Sequence, residues 1–301
     1  MVILAQERAV PAPPPLPLQL QADDGLRLAA ARMPGRGPGL LLAHGFGQTR
    51  QAWSATQQRL AEAGHASLAW DVRGHGQSGR NPAHQPYAGE QFVSDVGTVA
   101  RALGPAPILV GASMGGLTGL MAQARDRVFS ALVLVDITPR WEAAGVERIL
   151  GFMTAHPDGF ESFEHAAAEI AAYLPHRRER KTPGQLAHLL QPRDDGRLGW
   201  HWDPRLLSEF IPGTEALQAP IEQACRELDV PVLLVSGGRS DLVTDHTVGH
   251  FLELAPHARH VQLPHATHMV AGDDNDAFTD TLLQFLCDLA APHAAAHGDT
   301  R

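Results

Sequence analysis

The apolar residues of this chain gather into short unbroken runs separated by longer amphipathic stretches, and that rhythm restricts the fold more than any other feature. The runs are "GLLLA" (39–43), "HASLAWD" (65–71), "PILVGA" (107–112), "ALVLVDI" (131–137), "PVLLVSGG" (231–238) and "RHVQL" (259–263). Strands that read as continuous apolar segments are buried on both faces, which is the signature of a parallel sheet covered by helices. The intervening stretches supply those helices: "QAWSATQQRLAEAG" (51–64), "GEQFVSDVGTVARALG" (89–104), "MGGLTGLMAQAR" (114–125), and segments near 244–255 and 275–290. The first two end at Gly64 and Gly104, where helices commonly stop. Ahead of the first core strand, "LPLQLQADDGLRLAAARM" places two alternating runs around Asp24-Gly25, a hairpin signal.

The rhythm breaks after Asp136. Residues 138–222 hold helical patches such as "FESFEHAAAEIAAYL", interrupted by Pro157, Pro175, Pro183, Pro192 and Pro204, with no β-branched apolar run. They read as a helical insertion, a cap, on a core formed by residues 1–137 and 223–301. The Pro-rich first 15 residues and the tail "APHAAAHGDT" are expected to be poorly ordered.

Composition excludes several function classes. Lys and Arg number 24 against 33 Asp and Glu, a formal net charge of -9, which is a poor match for nucleic acid or an anionic membrane. The one dense basic run, "HRRERK" (176–181), is short and reads as a solvated face or loop. No run approaches a membrane span. Glu7 and Arg8 break the apolar start, so no signal peptide is expected and the chain reads as cytoplasmic. Cys225 and Cys287 are expected to be free thiols.

Gly111-Ala112-Ser113-Met114-Gly115 fits G-x-S-x-G. It lies directly after a buried-strand pattern and directly before a helix, the context of a nucleophile elbow. So tight a turn forces the serine into strained backbone geometry, and Gly111 and Gly115 remove side chains that would collide across it. A serine hydroxyl needs a base. Reacting groups of an α/β sheet gather at the C-terminal ends of its strands, and His268 lies in the loop after the last strand, just before the apolar Met269-Val270. His265, beside Pro264, is the rival. For the carboxylate that orients the base, Asp241 in the loop after strand 231–235 is the first choice. Asp245 reads more simply as a helix cap. Asp136, at the tip of strand 131–135, reads mainly as a structural hydrogen-bonding residue, with a role as substitute acid open. The expected triad is Ser113, His268 and Asp241. The oxyanion donors are expected to be the backbone N–H groups of Met114 and Phe46, since removal of one such donor costs about 3–4 kcal/mol of transition-state stabilisation.

With "LLLAHGFGQ" (40–48), "DVRGHGQS" (71–78), "GASMGG" (111–116), "SGGRSDLV" (236–243) and "HATHMV" (265–270) in this order, the chain resembles the α/β-hydrolase superfamily over about residues 45 to 290. The resemblance implies an eight-stranded, mostly parallel α/β sheet with helices on both faces and a helical cap after strand six. It gives Asp71 and Arg73 structural roles. Thr267 stands where many members carry Gly before the catalytic His. Epoxide hydrolases and haloalkane dehalogenases of this fold attack through Asp, so Ser113 points away from both and towards esters, thioesters and some carbon–carbon cleavages. The loop at Phe46 lacks the GGG run of HGGG-type esterases.

The expected activity is hydrolysis of a small or medium carboxylic ester through an acyl-enzyme, with no cofactor or metal. A carbon–carbon hydrolase or thioesterase uses the same triad, and perhydrolase or cofactor-free haloperoxidase side activity needs no new residues. A non-catalytic binding protein on this scaffold is the alternative from another class. His44 and Gly45 border the expected substrate pocket, although His44 reads as a structural hydrogen-bonding residue. In the cap, Trp200 and Trp202 either line the acyl site or pack cap on core, and His201 between them has no assignable role. The expected partner is the small-molecule ester alone; homodimerisation is left open.

Overall fold

The computed structural model describes residues 13–173, 182–211, 215–273 and 275–291; the basic run 176–181 and most of both tails lie outside them. The core is an eight-stranded sheet ordered β1-β2-β4-β3-β5-β6-β9-β10. Its strands are β1 (Leu16–Gln21), β2 (Arg27–Met33), β3 (Arg36–Ala43), β4 (His65–Trp70), β5 (Ile108–Ala112), β6 (Ala131–Val135), β9 (Val232–Gly237) and β10 (Arg259–Leu263). β2 is antiparallel to both its neighbours, and from β4 onward every pairing is parallel. The β1–β2 hairpin turns at Gly25, whose φ of +85° lies in the left-handed region.

The unbroken apolar runs divide by parity between two faces. Leu41, Leu109, Leu132, Leu134, Val232 and Leu234 enter one apolar cluster. Leu40, Leu42, Val110, Val133, Leu233 and Val235 enter another. Each strand therefore reads as continuous apolar sequence because both of its faces are covered. The first face is covered by α2 (Gly89–Arg101), α3 (Met114–Asp126), α8 (Gln218–Arg226) and α9 (Asp245–Leu254); the second by α1 (Ser54–Glu62) and α11 (Asn275–Ala290). Each fully buried Leu or Val contributes about 1.5–3 kcal/mol, so the sheet is a stiff platform for the loops at its ends.

Between β6 and β9 the chain forms α4 (Ala143–Thr154), α5 (Phe163–Tyr173), α6 (Pro183–Leu186), the strands β7 (Leu190–Pro192) and β8 (Leu198–Trp200), α7 (Arg205–Glu209) and then α8. The segment is not purely helical: β7 and β8 form an antiparallel pair, closed at its far end by a Phe160–Leu198 bridge. Phe160, Ala166, Ile170, Leu186 and Leu190 make a third apolar cluster above the sheet. α8 packs instead against α3, within the layers of the core. A short helix, α10 (Val270–Asp273), precedes α11. Cys225 is buried and Cys287 exposed, both free. Among the described residues no helix is long and apolar enough to cross a membrane.

The loop after β4 is anchored by Arg73, which is 1% exposed. Its Nε and Nη2 each donate to Asp95 of α2 at 2.6 Å, and its Nη1 donates to Asp24 at 2.8 Å and Asn81 at 3.1 Å. The two-pronged geometry offsets the cost of burying the charges. Arg73→Met strands the buried Asp95 carboxylate and is expected to cost about 3–5 kcal/mol of stability, measured by urea unfolding. A loss below about 1 kcal/mol would show that the pair is not what ties this loop to α2.

Candidate active site

The loops that follow β3, β5, β6, β9 and β10 meet at one end of the sheet. Ser113 stands between β5 and α3 at φ +48° and ψ −119°, and its hydroxyl makes no capping hydrogen bond to the helix. A side chain has no room on either flank. A Cβ on Gly111 would lie 2.6 Å from Gly116 Cα, and one on Gly115 would lie 2.5 Å from the Ala43 carbonyl oxygen. The strained turn persists because close packing on both sides leaves no relaxed alternative.

His268 follows β10. Its Nδ1 donates to Asp136 Oδ2 at 2.7 Å. In this structure Asp136 thus occupies the place expected for Asp241, whose Oδ2 accepts from Arg148 of α4 at 2.8 Å instead. The reason is reach. Asp136 directly follows β6, with its own N–H on Val235 O at 2.8 Å, so its side chain emerges beside the β9 and β10 loops. Asp241 lies further along its loop and is turned outward, its side chain 32% exposed. Asp136 is 0% exposed and sits at φ +49°. Its Oδ1 accepts from Gly237 N at 2.8 Å and its Oδ2 from Ser240 Oγ at 2.5 Å. Three donors thus satisfy a buried carboxylate. Donation by Nδ1 leaves the proton off Nε2, the state a general base needs. His265 is exposed, and Asp245 is the first residue of α9.

The loop after β3 comes within contact of the serine: a Cβ on Gly45 would lie 3.3 Å from Ser113 Cβ. Gln48 of the same loop donates through Nε2 to Met269 Sδ at 3.1 Å, joining it to the residue beside His268. The N–H groups of Phe46 and Met114 have no hydrogen-bond partner among the described residues. Met114 opens α3, where the helix leaves its first amides unpaired and adds partial positive charge.

Three buried histidines surround this loop, and each is locked into one neutral tautomer by a backbone acceptor and a backbone donor. His44 Nε2 accepts from Val72 N at 3.0 Å and its Nδ1 donates to Gly45 O at 2.8 Å. His75 Nε2 accepts from Gly47 N at 3.2 Å and its Nδ1 donates to Arg73 O at 3.1 Å. His201 Nδ1 accepts from Gly76 N at 2.8 Å and its Nε2 donates to Gly47 O at 3.2 Å. Burial lowers all three pKa values, His75 well below the usual imidazole range and His201 to about 4. Beside them Trp202, 3% exposed, packs on Phe46 with ring centroids 5.3 Å apart. Trp200 is half-buried and meets Phe152 and Phe160 of the inserted segment.

A family model described as the alpha/beta hydrolase family matches residues 40–281, spanning the sheet from β3 onward and the loops that meet at its end. The chain belongs to the alpha/beta hydrolase family. Among relatives of this hydrolase, esterase Rv0045c of Mycobacterium tuberculosis is 28% identical over 291 residues, covering 92% of the chain and 91% of that protein. The 3-hydroxybutyrate-oligomer hydrolase of Cupriavidus necator is 29% identical over 241 residues, 76% of the chain and 82% of that protein. The crystal structure of E-2-(acetamidomethylene)succinate hydrolase superposes with a TM-score of 0.76 at 23% identity, covering 91% of the chain and 99% of that structure.

Sequence reasoning ranked Asp136 behind Asp241; it read His44 as a structural hydrogen-bonding residue, which its two backbone hydrogen bonds match, and gave no role to the two histidines on Gly47, His75 and His201. Asp136 carried one usable signal, its place at the very tip of an apolar strand. His201 carried only its position between two tryptophans.

The buried histidines set an acid limit on stability. Histidines of the unfolded chain take up protons near pH 6.5, whereas His201 in the folded hydrolase resists until about pH 4. The stability held by this neutral ring is therefore complete above pH 6.5 and is lost as the pH falls towards 4. In urea unfolding at pH 7.5 and 4.5, the wild type is expected to lose roughly 2–3 kcal/mol more than His201→Gln over that interval.

Proposed function

We propose that this hydrolase cleaves small or medium carboxylic esters through an acyl-enzyme on Ser113, with His268 as base and Asp136 as the acid that orients it. The observation that carries the reading is the Asp136–His268 hydrogen bond at the sheet end where Ser113 is held in a strained turn with its hydroxyl free of the helix cap. Two relatives that match over most of the chain, an esterase and an oligomer hydrolase, support ester chemistry.

In the first half-reaction Ser113 Oγ attacks the carbonyl carbon and its proton passes to His268 Nε2. Asp136 stabilises the resulting imidazolium through Nδ1 without itself taking the proton. The N–H groups of Phe46 and Met114 hold the developing oxyanion. The tetrahedral intermediate then breaks its ester C–O bond, and the departing alcohol takes the proton from His268. Water repeats the sequence on the acyl-enzyme, giving a proton to His268, releasing the carboxylic acid and returning the proton to Ser113. Gly45 gives the acyl group a close approach, and the segment 138–222 acts as a lid whose Trp202 backs the pocket wall behind Phe46. No metal or cofactor enters any step.

A fluorophosphonate probe is expected to label the wild type and not Ser113→Ala. On p-nitrophenyl esters of increasing chain length, Asp136→Asn is expected to lower kcat by about 10⁴-fold, because it reverses the tautomer demanded of His268. Asp241→Asn should change kcat by less than about threefold, since the partner it loses is a half-exposed arginine. The opposite ranking of the two variants would return the acid to the β9 loop. A thioester and a vinylogous 1,5-diketone run beside the esters separate the other two chemistries this triad can serve; faster turnover of either would displace the ester as substrate.

A further inference from the structure

The loop that brings the Phe46 amide to Ser113 is a tight turn. Gln48 N donates to Gly45 O at 3.2 Å, closing it across Phe46 and Gly47. Gly47 has φ +74°, the value a type II turn needs at its third residue. Turns of this kind have a soft coordinate, rotation of the central peptide plane, and glycine makes it softer. In this turn both polar groups of Gly47 are held by imidazoles. His75 accepts its N–H and His201 donates to its carbonyl, each at 3.2 Å.

The two imidazoles come from different parts of the chain. His75 belongs to the loop after β4. His201 belongs to the inserted segment, just past β8, and is only 5% exposed. Its ring is fixed in turn by Gly76 N at 2.8 Å. Its backbone is fixed by Leu189 O, which accepts from His201 N at 3.1 Å, and by Arg80 Nη2, which donates to His201 O at 3.1 Å. Asp203, two residues on, donates its N–H to Gly74 O at 2.7 Å and accepts from Tyr87 Oη at 2.9 Å. This stretch of the insertion is therefore rigidly attached, and it presents one donor to the turn beside the serine.

Building on the ester-hydrolase reading, we propose that His201 is a positioning residue of the oxyanion hole: it holds the carbonyl of the Gly47–Gln48 peptide while His75 holds the N–H of the Phe46–Gly47 peptide, and by pinning the turn at Gly47 from its far side it keeps the shape that aims the Phe46 N–H at the reacting carbonyl. The inserted segment then contributes to catalysis as well as to covering the substrate. His201 touches no reacting atom, and its effect appears in the transition state, where the oxyanion exists, more than in ground-state binding.

The test compares His201→Leu with His201→Gln on one p-nitrophenyl ester, with active sites titrated by a fluorophosphonate. Leucine removes both ring nitrogens, whereas glutamine restores one acceptor for Gly76 and one donor for Gly47. His201→Leu is expected to lower kcat per titrated site by roughly 10- to 100-fold with KM changed less than about threefold, and glutamine to recover most of the loss. Affinity for a trifluoromethyl ketone, which forms an oxyanion on the serine, should fall in parallel with kcat/KM. Should His201→Leu not fold, His201→Phe keeps the ring volume without its nitrogens and serves the same comparison. Full kcat in the leucine and phenylalanine variants, a loss explained wholly by fewer titrated sites, or glutamine no better than leucine overturns the proposal. Failure of the wild type to take up the probe at Ser113 overturns the ester-hydrolase reading instead, whatever the His201 variants do.

Discussion

A carboxylate taken fully out of water costs several kcal/mol unless donors replace the solvent it has lost. Asp136 meets that demand with a backbone amide from Gly237, a hydroxyl from Ser240 and an imidazole N–H from His268. The first two donors belong to the end of β9 and its loop, and the third to the loop after β10. One buried charge therefore gathers the ends of three neighbouring strands. The fourth strand joins through the backbone, because Ser113 N donates to Val135 O, the residue before Asp136, at 3.0 Å. Remove the carboxylate and His268 loses the partner of its Nδ1, while the β9 loop loses the anchor at Gly237 and Ser240. The geometry around the serine is thus a property of strand register as much as of any single side chain.

That register lets the structure hold strain. Ser113 and Asp136 are two of the four non-glycine residues with positive φ among the described residues, and both lie at the site. Conformations of this kind cost of order 1–3 kcal/mol each and survive only where their surroundings leave no alternative. The surroundings here are Gly111 and Gly115 pressed against α3 and β3 on one side, and the Asp136 hydrogen bonds on the other. The stability offsetting the strain comes from the apolar strands, whose alternate residues fill two separate clusters. The folding energy lies in the sheet layers, away from the loops around Ser113 and His268.

The fold was legible because double-sided burial writes itself into the sequence as unbroken apolar runs, and the serine because strand, glycine, serine and helix are contiguous. His268 was legible from its loop alone. Its carboxylate partner was not. Asp136 and Asp241 each follow a β strand of the same sheet, and their order along the chain carries no information on which one turns inward. Two facts separate them, and both are three-dimensional. Asp136 lies at the strand tip in a left-handed conformation that directs its side chain across β9, whereas Asp241 has an arginine of α4 within 2.8 Å drawing it outward. The small β7–β8 hairpin escaped notice for a related reason. Its strands are three residues each, too short for a period, and Pro192 at the end of one of them reads as a breaker. His201 was visible as an oddity between two tryptophans, but its partners Gly47 and Gly76 are more than 120 positions away.

The inserted segment meets the core through two unequal attachments. Near β8 it is joined by buried groups: the His201 ring, the Asp203 carboxylate under Tyr87, and Trp202 against Phe46. Near α4 it is joined by Glu142, whose N–H donates to Leu242 O at 3.1 Å and whose Oε1 accepts from Thr244 Oγ1 at 3.0 Å, and by the pair Arg148 and Asp241, whose side chains are 51% and 32% exposed. A pair that wet is worth about 0–1 kcal/mol, less in salt, while each buried hydrogen bond to a fixed backbone group adds about as much again and costs more if left unmade. The ring contacts of His201 and Trp202 thus hold the Gly45–Gln48 turn with groups that water does not reach, whereas at the β9 loop the fixed contact is the Glu142–Leu242 backbone bond and the Arg148–Asp241 pair beside it can be lost at little cost.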